Sequence, residues 1–283
     1  MPVLSLQELQ EFSPVFRGRV GTAFAKAVLR FFEVEDINRL QDTYRELKGS
    51  DFTRKMLEVY RTEYQVGGVT KPESLAGKPF ITISNHIYGG IDGIILVDYF
   101  QSVYPDYKVL VNKILMRISS LADNFIPVTP TGEERTTPTA TSIAGIRRAM
   151  EHLRDGHPLG LFPAGAVSDL SLREGRIRDR EWQDPIIRLI RKANVAVVPV
   201  RFFDRNTLFY YLLGLIDWRV RLLRLPHEVL NKGGKRIRMG IGAVISPEEI
   251  RSFKDLSALK KRLREAVYGM DLPQQWTYYP RIP

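Results

Sequence analysis

Phe80-Ile-Thr-Ile-Ser-Asn-His-Ile-Tyr-Gly-Gly-Ile-Asp-Gly-Ile-Ile-Leu-Val97 carries three signals in one short stretch. Phe80–Ser84 is apolar and bounded by polar residues, as a buried strand is. A glycine-rich loop with one His and one Asp follows. From Gly93 to Ser102 a second apolar run is long enough for a helix. In a sheet of parallel strands, ligands bind outside the carboxyl ends of the strands. His86, just past the end of the first strand, therefore stands where a reacting side chain is expected.

Working outward, strands and helices alternate. Tyr107–Val111, Phe125–Val128, Leu159–Phe162, Val195–Val200 and Arg236–Ile245 read as strands. Ile114–Ala122 reads as a helix, as does Thr139–Arg154, whose Ile143, Ile146, Met150 and Leu153 share one face. Asp184-Pro185 opens another helix, with Asp as cap and Pro at the first position. Ser246-Pro-Glu-Glu249 is a capping box for the next. Thr129–Pro138 is a polar loop. The fold class is therefore α/β, a mostly parallel central sheet flanked by helices. Before it, residues 1–65 look helical. One face is marked by Phe24, Val28, Leu29 and Phe32, a second by Ile37, Leu40, Tyr44 and Leu47, and a third helix runs from about Asp51 to Tyr64 before Gly67-Gly68. These helices form an N-terminal layer on the sheet.

The 283 residues are 44% hydrophobic and 26% charged, which predicts a packed core rather than disorder. There is no cysteine, so disulfides, thiolate metal ligands and thiol nucleophiles are excluded. A reducing compartment fits this, and no signal peptide is visible at Met1-Pro-Val-Leu-Ser. The net charge of +10 favours anionic partners. Residues 201–240 hold nine Lys/Arg against three acids, around the apolar run Leu208-Phe-Tyr-Tyr-Leu-Leu-Gly-Leu-Ile216. That run is far shorter than the roughly 20 residues a membrane-spanning helix needs. It reads either as a segment lying on a membrane surface or as a buried core helix with solvated arginines beside it. Nucleic acid is not expected, because no recognised binding module accompanies the charge.

The loop itself admits two readings. Gly89-Gly90 can fold back and bring Asp92 to one ring nitrogen of His86. The carboxylate then fixes the tautomer, and the other nitrogen is free to take a proton from a hydroxyl. Alternatively, the stretch is a turn whose His caps a helix and whose Asp is solvated. Two further strand ends bear on the choice: Leu161-Phe-Pro-Ala-Gly-Ala-Val-Ser168 and Val198-Pro-Val-Arg201. His152, His157 and His227 show no metal-ligand spacing, so no metal is expected. No Gly-x-Ser-x-Gly elbow is present for a serine hydrolase.

Taken in order, Asn85-His86 with Asp92, Phe125-Ile126, Phe162-Pro163-Ala164-Gly165 and Val198-Pro199-Val200 resemble the four motif blocks of the glycerolipid acyltransferases. This is the superfamily of the glycerol-3-phosphate and 1-acylglycerol-3-phosphate acyltransferases. The resemblance spans roughly residues 75–250 and departs from the pattern in three places. Five residues separate His86 from Asp92 where the family has four. Ala164 stands where the family has Glu. Pro127 and Val128 follow Phe125-Ile126 where an Arg meets the substrate phosphate. These departures are similar to a bacterial, hemolysin-like branch that acylates lyso-ornithine and lyso-glycine lipids.

The resemblance implies an acyltransferase domain over residues 71–283, with a helical region over 1–70 packed on it. It implies His86 as general base and Asp92 as its partner. The acyl donor would be acyl-CoA or acyl carrier protein, and no cofactor is required. The acceptor would be a lysolipid, and the location cytoplasmic, peripheral on the inner face of the cell membrane. Substrate contacts are expected from Asn85, Gly89, Gly90, Phe125, Phe162, Pro163, Gly165, Ala166, Ser168, Arg201 and Arg205, with backbone N–H groups near Gly165 and Ala166 holding the oxyanion. Arg135, Arg147, Arg148, Arg173, Arg176 and Arg178 are further candidates for an anionic group. A non-catalytic lipid- or polyanion-binding protein of the same fold is the alternative.

Overall fold

The structure is a computed structural model, which describes residues 34–129, 139–172, 174–216 and 224–279, together with 17–19, 21–23, 26 and 221. The expected helix through Phe24, Val28, Leu29 and Phe32 lies outside the described residues, as do Arg135, Arg173 and Arg219. From Val34 onward the elements are α1 (Val34–Thr43), α2 (Gly49–Val59) and β1 (Glu63–Gly68). Next come β2 (Phe80–Ser84), α3 (Ile91–Gln101), β3 (Lys108–Asn112), β4 (Phe125–Val128) and α4 (Ala140–Arg154). Then follow β5 (Leu159–Leu161), β6 (Asp169–Ser171), β7 (Arg176–Arg178), α5 (Asp184–Ala193) and β8 (Ala196–Phe202). The remainder is α6 (Leu208–Ile216), α7 (Leu225–Leu230), β9 (Arg236–Ile241), α8 (Pro247–Ser252), α9 (Leu256–Tyr268) and β10 (Thr277–Tyr279).

Eight strands form one sheet in the order β10-β1-β9-β8-β2-β5-β3-β4. β2 runs parallel to both β5 and β8, β3 to β4 and β5, and β1 to β9. Within this sheet β1–β10 and β8–β9 are antiparallel, and β6–β7 form a separate antiparallel pair. All five residues of β2 are buried, as expected of a strand covered on both faces. Alternation along β2 and β8 sorts the core. Ile81, Ile83 and Val197 meet α4, α5, α8 and α9, through Ala149, Ile187, Ile250 and Leu263. Phe80, Val198, Val200 and Phe202 face the cluster built by α2 and α3. Helix α3 is apolar on every side, and nine of its residues are buried, so it needs cover beyond the sheet. Helix α2 supplies it with Phe52, Met56 and Leu57.

Three expectations are corrected. The third N-terminal helix stops at Val59, and Glu63–Gly68 is a strand between β9 and β10. Tyr64 and Val66 alternate with Glu63 and Gln65, a period of two that helical spacing had obscured. The buried Tyr64 hydroxyl donates to Asp98 of α3 at 2.6 Å, tying this strand to the helical layer. Ile114–Ala122 forms two short 3-10 turns, Lys113–Arg117 and Ala122–Asn124, because Ser119-Ser120 interrupts the run and Asn112 caps the first turn through Ile114 N–H. Finally, Gln183, one residue earlier than expected, holds the N-cap position of α5, without a side-chain cap bond. Thr139 and Ser246 cap α4 and α8 by accepting from Ser142 and Glu249 N–H.

Candidate active site

The carboxyl ends of β2, β5 and β8 lie side by side, and the loops leaving them converge. His86 follows β2. Its Nδ1 lies 2.9 Å from Asp92 Oδ2, while 16% of the imidazole side chain stays exposed and the carboxylate is fully buried. Asp92 sits in the first turn of α3, where the helix dipole favours an anion. It accepts from Tyr88 and Gly89 N–H at 3.1 Å and from Gly93 N–H at 2.9 Å. A carboxylate with these donors is acceptor only, so Nδ1 carries the proton and Nε2 is left as the acceptor.

The return of the loop depends on Gly89, whose φ of +81° is costly for any residue with a Cβ. A Cβ there would also lie 2.6 Å from Val167 Cγ2 and 2.8 Å from Leu225 Cδ2. Gly90 is the N-cap of α3, and its carbonyl accepts from Ile94. The five-residue interval between His86 and Asp92 is closed by this pair of glycines.

Burial pulls the His86 pKa down, but the charge and hydrogen bond of Asp92, with the charge of Asp179, outweigh it and hold it above the ordinary histidine value. For Asp92, burial pushes the pKa up, and the His86 contact with the Gly89 and Tyr88 N–H groups brings it below the usual carboxylate value. The pair is matched: each side stabilises the charged form of the other.

The second loop, after β5, brings Phe162 flat against the imidazole, with ring centroids 4.1 Å apart and planes at 29°. Pro163 carbonyl accepts from Gln183 N–H and Ala164 carbonyl from Gln183 Nε2, which pins the turn to the start of α5. Gly165 has φ +65°, and its N–H donates to Phe162 carbonyl at 2.9 Å inside the turn. That engagement removes Gly165 N–H from the expected oxyanion donors, while Ala166 follows at the same bend. Ala164 is 3% exposed, in the apolar cluster with Trp182 and Ile186, so an acid's usual place in the family pattern is core in this chain.

Several expected contact residues are braces instead. Asn85 is 2% exposed, and its carboxamide donates to Phe202 carbonyl and accepts from Phe202 N–H, extending the β2–β8 pairing by one rung. Ser168 is fully buried; its N–H donates to His86 carbonyl at 2.8 Å and its hydroxyl to Asp179 at 2.6 Å. Phe125 is a core residue of β4, packed in the cluster with α3. Arg201 Nη1 donates to the carbonyls of Tyr268 and Met270, at the end of α9, and its guanidinium stacks on Phe203. It serves as a cationic cap for that helix. Arg205 is exposed. Arg176 and Arg178 pair with Glu174. Arg147 and Arg148 lie on α4, on the side of the sheet away from α2 and α3.

The sequence reading missed Asn206, Tyr211 and Asp179. Asn206 Nδ2 donates to Tyr88 carbonyl at 3.0 Å and Tyr211 hydroxyl to Ile87 carbonyl at 3.1 Å, so the segment before and within α6 holds the histidine loop from outside. Asn206 lies in the polar run Asp204-Arg205-Asn206-Thr207 just before an apolar stretch, and nothing there singles it out. Asp179 lies in a run of charged residues that reads as solvated, and only the β6–β7 hairpin, by folding back, buries it. Among the described residues no group of three His, Asp or Glu side chains is placed to hold a metal ion.

A buried carboxylate, a partly exposed imidazole oriented by it and a strand-end turn stacked on the ring form a site with one ring nitrogen able to accept a proton. The comparisons give this class its family. A family model described as Acyltransferase matches residues 9–271, so the chain belongs to that acyltransferase family and is an acyl-transferring enzyme. It is 28% identical over 245 residues to a lyso-glycine lipid O-acyltransferase of Bacteroides thetaiotaomicron, covering 83% of this chain and 85% of that one. It is also 28% identical over 230 residues to a lyso-glycine lipid O-acyltransferase of Phocaeicola vulgatus, covering 78% of each chain.

Proposed function

We propose that this enzyme is a lysolipid O-acyltransferase that moves a fatty acyl group from acyl-CoA or acyl carrier protein to a lysolipid hydroxyl. A lyso-aminolipid such as a lyso-glycine or lyso-ornithine lipid is the favoured acceptor, ahead of 1-acylglycerol-3-phosphate. The observation that carries the reading is the His86–Asp92 contact at 2.9 Å, which leaves Nε2 as the only free acceptor of the ring. The names of the two relatives support the acceptor class. So does Val128, which with Pro127 occupies the stretch where the family pattern has a phosphate-binding Arg.

In this mechanism Nε2 takes the hydroxyl proton as the oxygen attacks the thioester carbonyl, and Asp92 stabilises the imidazolium that forms. Ala166 N–H is the proposed oxyanion donor. Collapse breaks the C–S bond, and the imidazolium returns its proton to the leaving thiolate. The products are the acylated lipid and the free thiol. No acyl-enzyme forms, and the step calls for no metal or resident cofactor. Exposed Arg205, beside the loop brace Asn206, is the proposed contact for an anionic group of either substrate.

The enzyme is further proposed to work at the inner surface of the cell membrane. Helix α6 turns Tyr210 and Tyr211 inward, while Leu208, Phe209, Leu212, Leu215 and Ile216 are exposed. Arg224 stacks on Phe209 at 5.3 Å, so cationic and apolar groups share this face. Such a face suits an anionic lipid surface, and it lies next to the histidine loop through Tyr211. No described helix is long and apolar enough to cross a membrane. Incubating the protein with palmitoyl-CoA or palmitoyl carrier protein and a panel of lysolipids, followed by mass spectrometry, tests the proposal. One lyso-aminolipid acylated in preference to the rest is the expected result; no acylated lipid from any pair would end it.

A further inference from the structure

A second buried carboxylate is bonded to the His86 main chain and is not used by the step above. Asp179, just after β7, is 2% exposed. Its Oδ1 accepts from His86 N–H at 3.1 Å and from Ser168 hydroxyl at 2.6 Å, and its Oδ2 accepts from Trp182 Nε1 at 3.3 Å. Ser168 N–H in turn donates to His86 carbonyl at 2.8 Å. The main chain of His86 is thus gripped on both sides by one carboxylate and the serine bound to it. The ring is held independently, by Asp92 on Nδ1 and Phe162 on its face.

The chemistry of this arrangement goes beyond anchoring. Three donors and no cationic side chain meet the Asp179 carboxylate among the described residues. An uncompensated buried anion is expensive, and a neutral amide could accept from the same donors at Oδ1. The charged groups around it are few. Arg264 donates to Asp179 and Arg180 main-chain carbonyls, Tyr268 hydroxyl accepts from Asp179 N–H, and Arg221 donates to Ser168 carbonyl and pairs with Asp169, which also pairs with Arg180. Asp92 lies beyond the ring. The nearby group that can become a cation is the His86 imidazole, which is charged at acid pH and, near neutral pH, while it holds the hydroxyl proton.

We propose that Asp179 is a positioning residue for His86: its carboxylate anchors the histidine main chain, directly and through Ser168, and its charge favours the imidazolium formed during acyl transfer. This rests on the reading of His86 as the proton acceptor. The charge of Asp179 is among the influences that raise the His86 pKa, in keeping with the geometry.

The test compares the full-length wild type with Asp179→Asn, Asp179→Ala and His86→Gln. The chain has four histidines, and long-range ¹H–¹⁵N spectra follow their ring titrations, with His86→Gln assigning the His86 signals. Asn keeps an acceptor for His86 N–H and Ser168 but removes the charge. Its His86 midpoint is expected to fall by about half a pH unit or more, as loss of a nearby anion requires. The acid limb of kcat/KM, measured with palmitoyl-CoA and the lysolipid that the wild type acylates, is expected to move down with it. Asp179→Ala, which also releases the anchor, is expected to lose about tenfold or more in kcat with KM little changed, as a misplaced catalytic group does. An unmoved or raised His86 midpoint in Asp179→Asn would overturn the proposal, as would wild-type kcat in Asp179→Ala. If Asp179→Ala does not fold, the Asn midpoint decides alone. Full activity in His86→Gln instead strikes the underlying mechanism, so the two failures are separable.

Discussion

His86 Nδ1 and Asp92 Oδ2 are 2.9 Å apart across a six-residue step in sequence, and the carboxylate has no exposed surface while the imidazole does. In the proposed mechanism the buried partner orients and the exposed partner takes the proton. Asp92→Asn keeps the shape but turns an acceptor of Nδ1–H into a group able to favour the wrong tautomer. Turnover should fall by about 10²–10⁴-fold, as when the orienting acid of a catalytic histidine is neutralised. Steady-state rates of the purified variant check this; a loss of less than threefold would contradict the assigned tautomer.

The pH profile carries a sign. His86 must be neutral to accept a proton, and its pKa is held above the ordinary value of about 6.5. Activity should therefore be full at alkaline pH and fall on acidification through a midpoint above that value. In Asp92→Asn the anion that raises the pKa is gone, so the midpoint should move to lower pH even as the plateau drops. A kcat/KM profile for both proteins is sufficient, and an unchanged acid limb in the variant would count against the pairing.

Gly89 is the hinge of the loop. An alanine there carries a positive-φ cost of roughly 1–2 kcal/mol and pushes a methyl group into Val167 and Leu225. Gly89→Ala should lower the urea midpoint and reduce activity together. Wild-type stability and rate would mean that the loop does not need this conformation.

Much of this architecture was legible in the sequence, because β2, β5 and β8 are short apolar runs with turn residues at fixed places. His86, Asp92 and the glycines between them left two readings open, and the four motif blocks taken together favoured the pairing that the structure places at 2.9 Å. The braces were not. Nothing local in Asn85, Ser168 or Asp179 says that its partner is Phe202 or His86, since those bonds span distant segments. Strand β1 was hidden because Glu63–Gly68 continues a helix-like stretch and gains its identity only from pairing with β9. Arg201 looked like an anion contact because strand-end arginines often are, yet the carbonyls ending α9 take its guanidinium.

Arg201 therefore gives a prediction opposite to the first expectation. Arg201→Ala removes charge-assisted bonds to Tyr268 and Met270 carbonyls, worth about 1.5–3 kcal/mol. Chemical denaturation should show that loss while KM for both substrates stays within about twofold of wild type. A large rise in KM at unchanged stability would return Arg201 to the substrate.

Membrane docking is tested on the outer face of α6. Phe209 and Leu212 are 48% and 44% exposed, and each apolar side chain buried in lipid contributes roughly 1.5–3 kcal/mol. The double change Phe209→Asp, Leu212→Asp should weaken binding to phosphatidylglycerol vesicles by well over tenfold in co-sedimentation, and binding of the wild type should weaken as salt rises. Equal binding by both proteins would place the docking surface elsewhere.

The most direct measurement is the rate of acyl transfer by His86→Gln, with the substrate pair that the wild type uses best and with folding verified by circular dichroism. Glutamine keeps hydrogen-bonding capacity but cannot act as a base near neutral pH. The account predicts a fall of at least about 10²-fold at every pH tested and loss of the acid limb. A folded His86→Gln enzyme that retains a rate within a few-fold of wild type would contradict it.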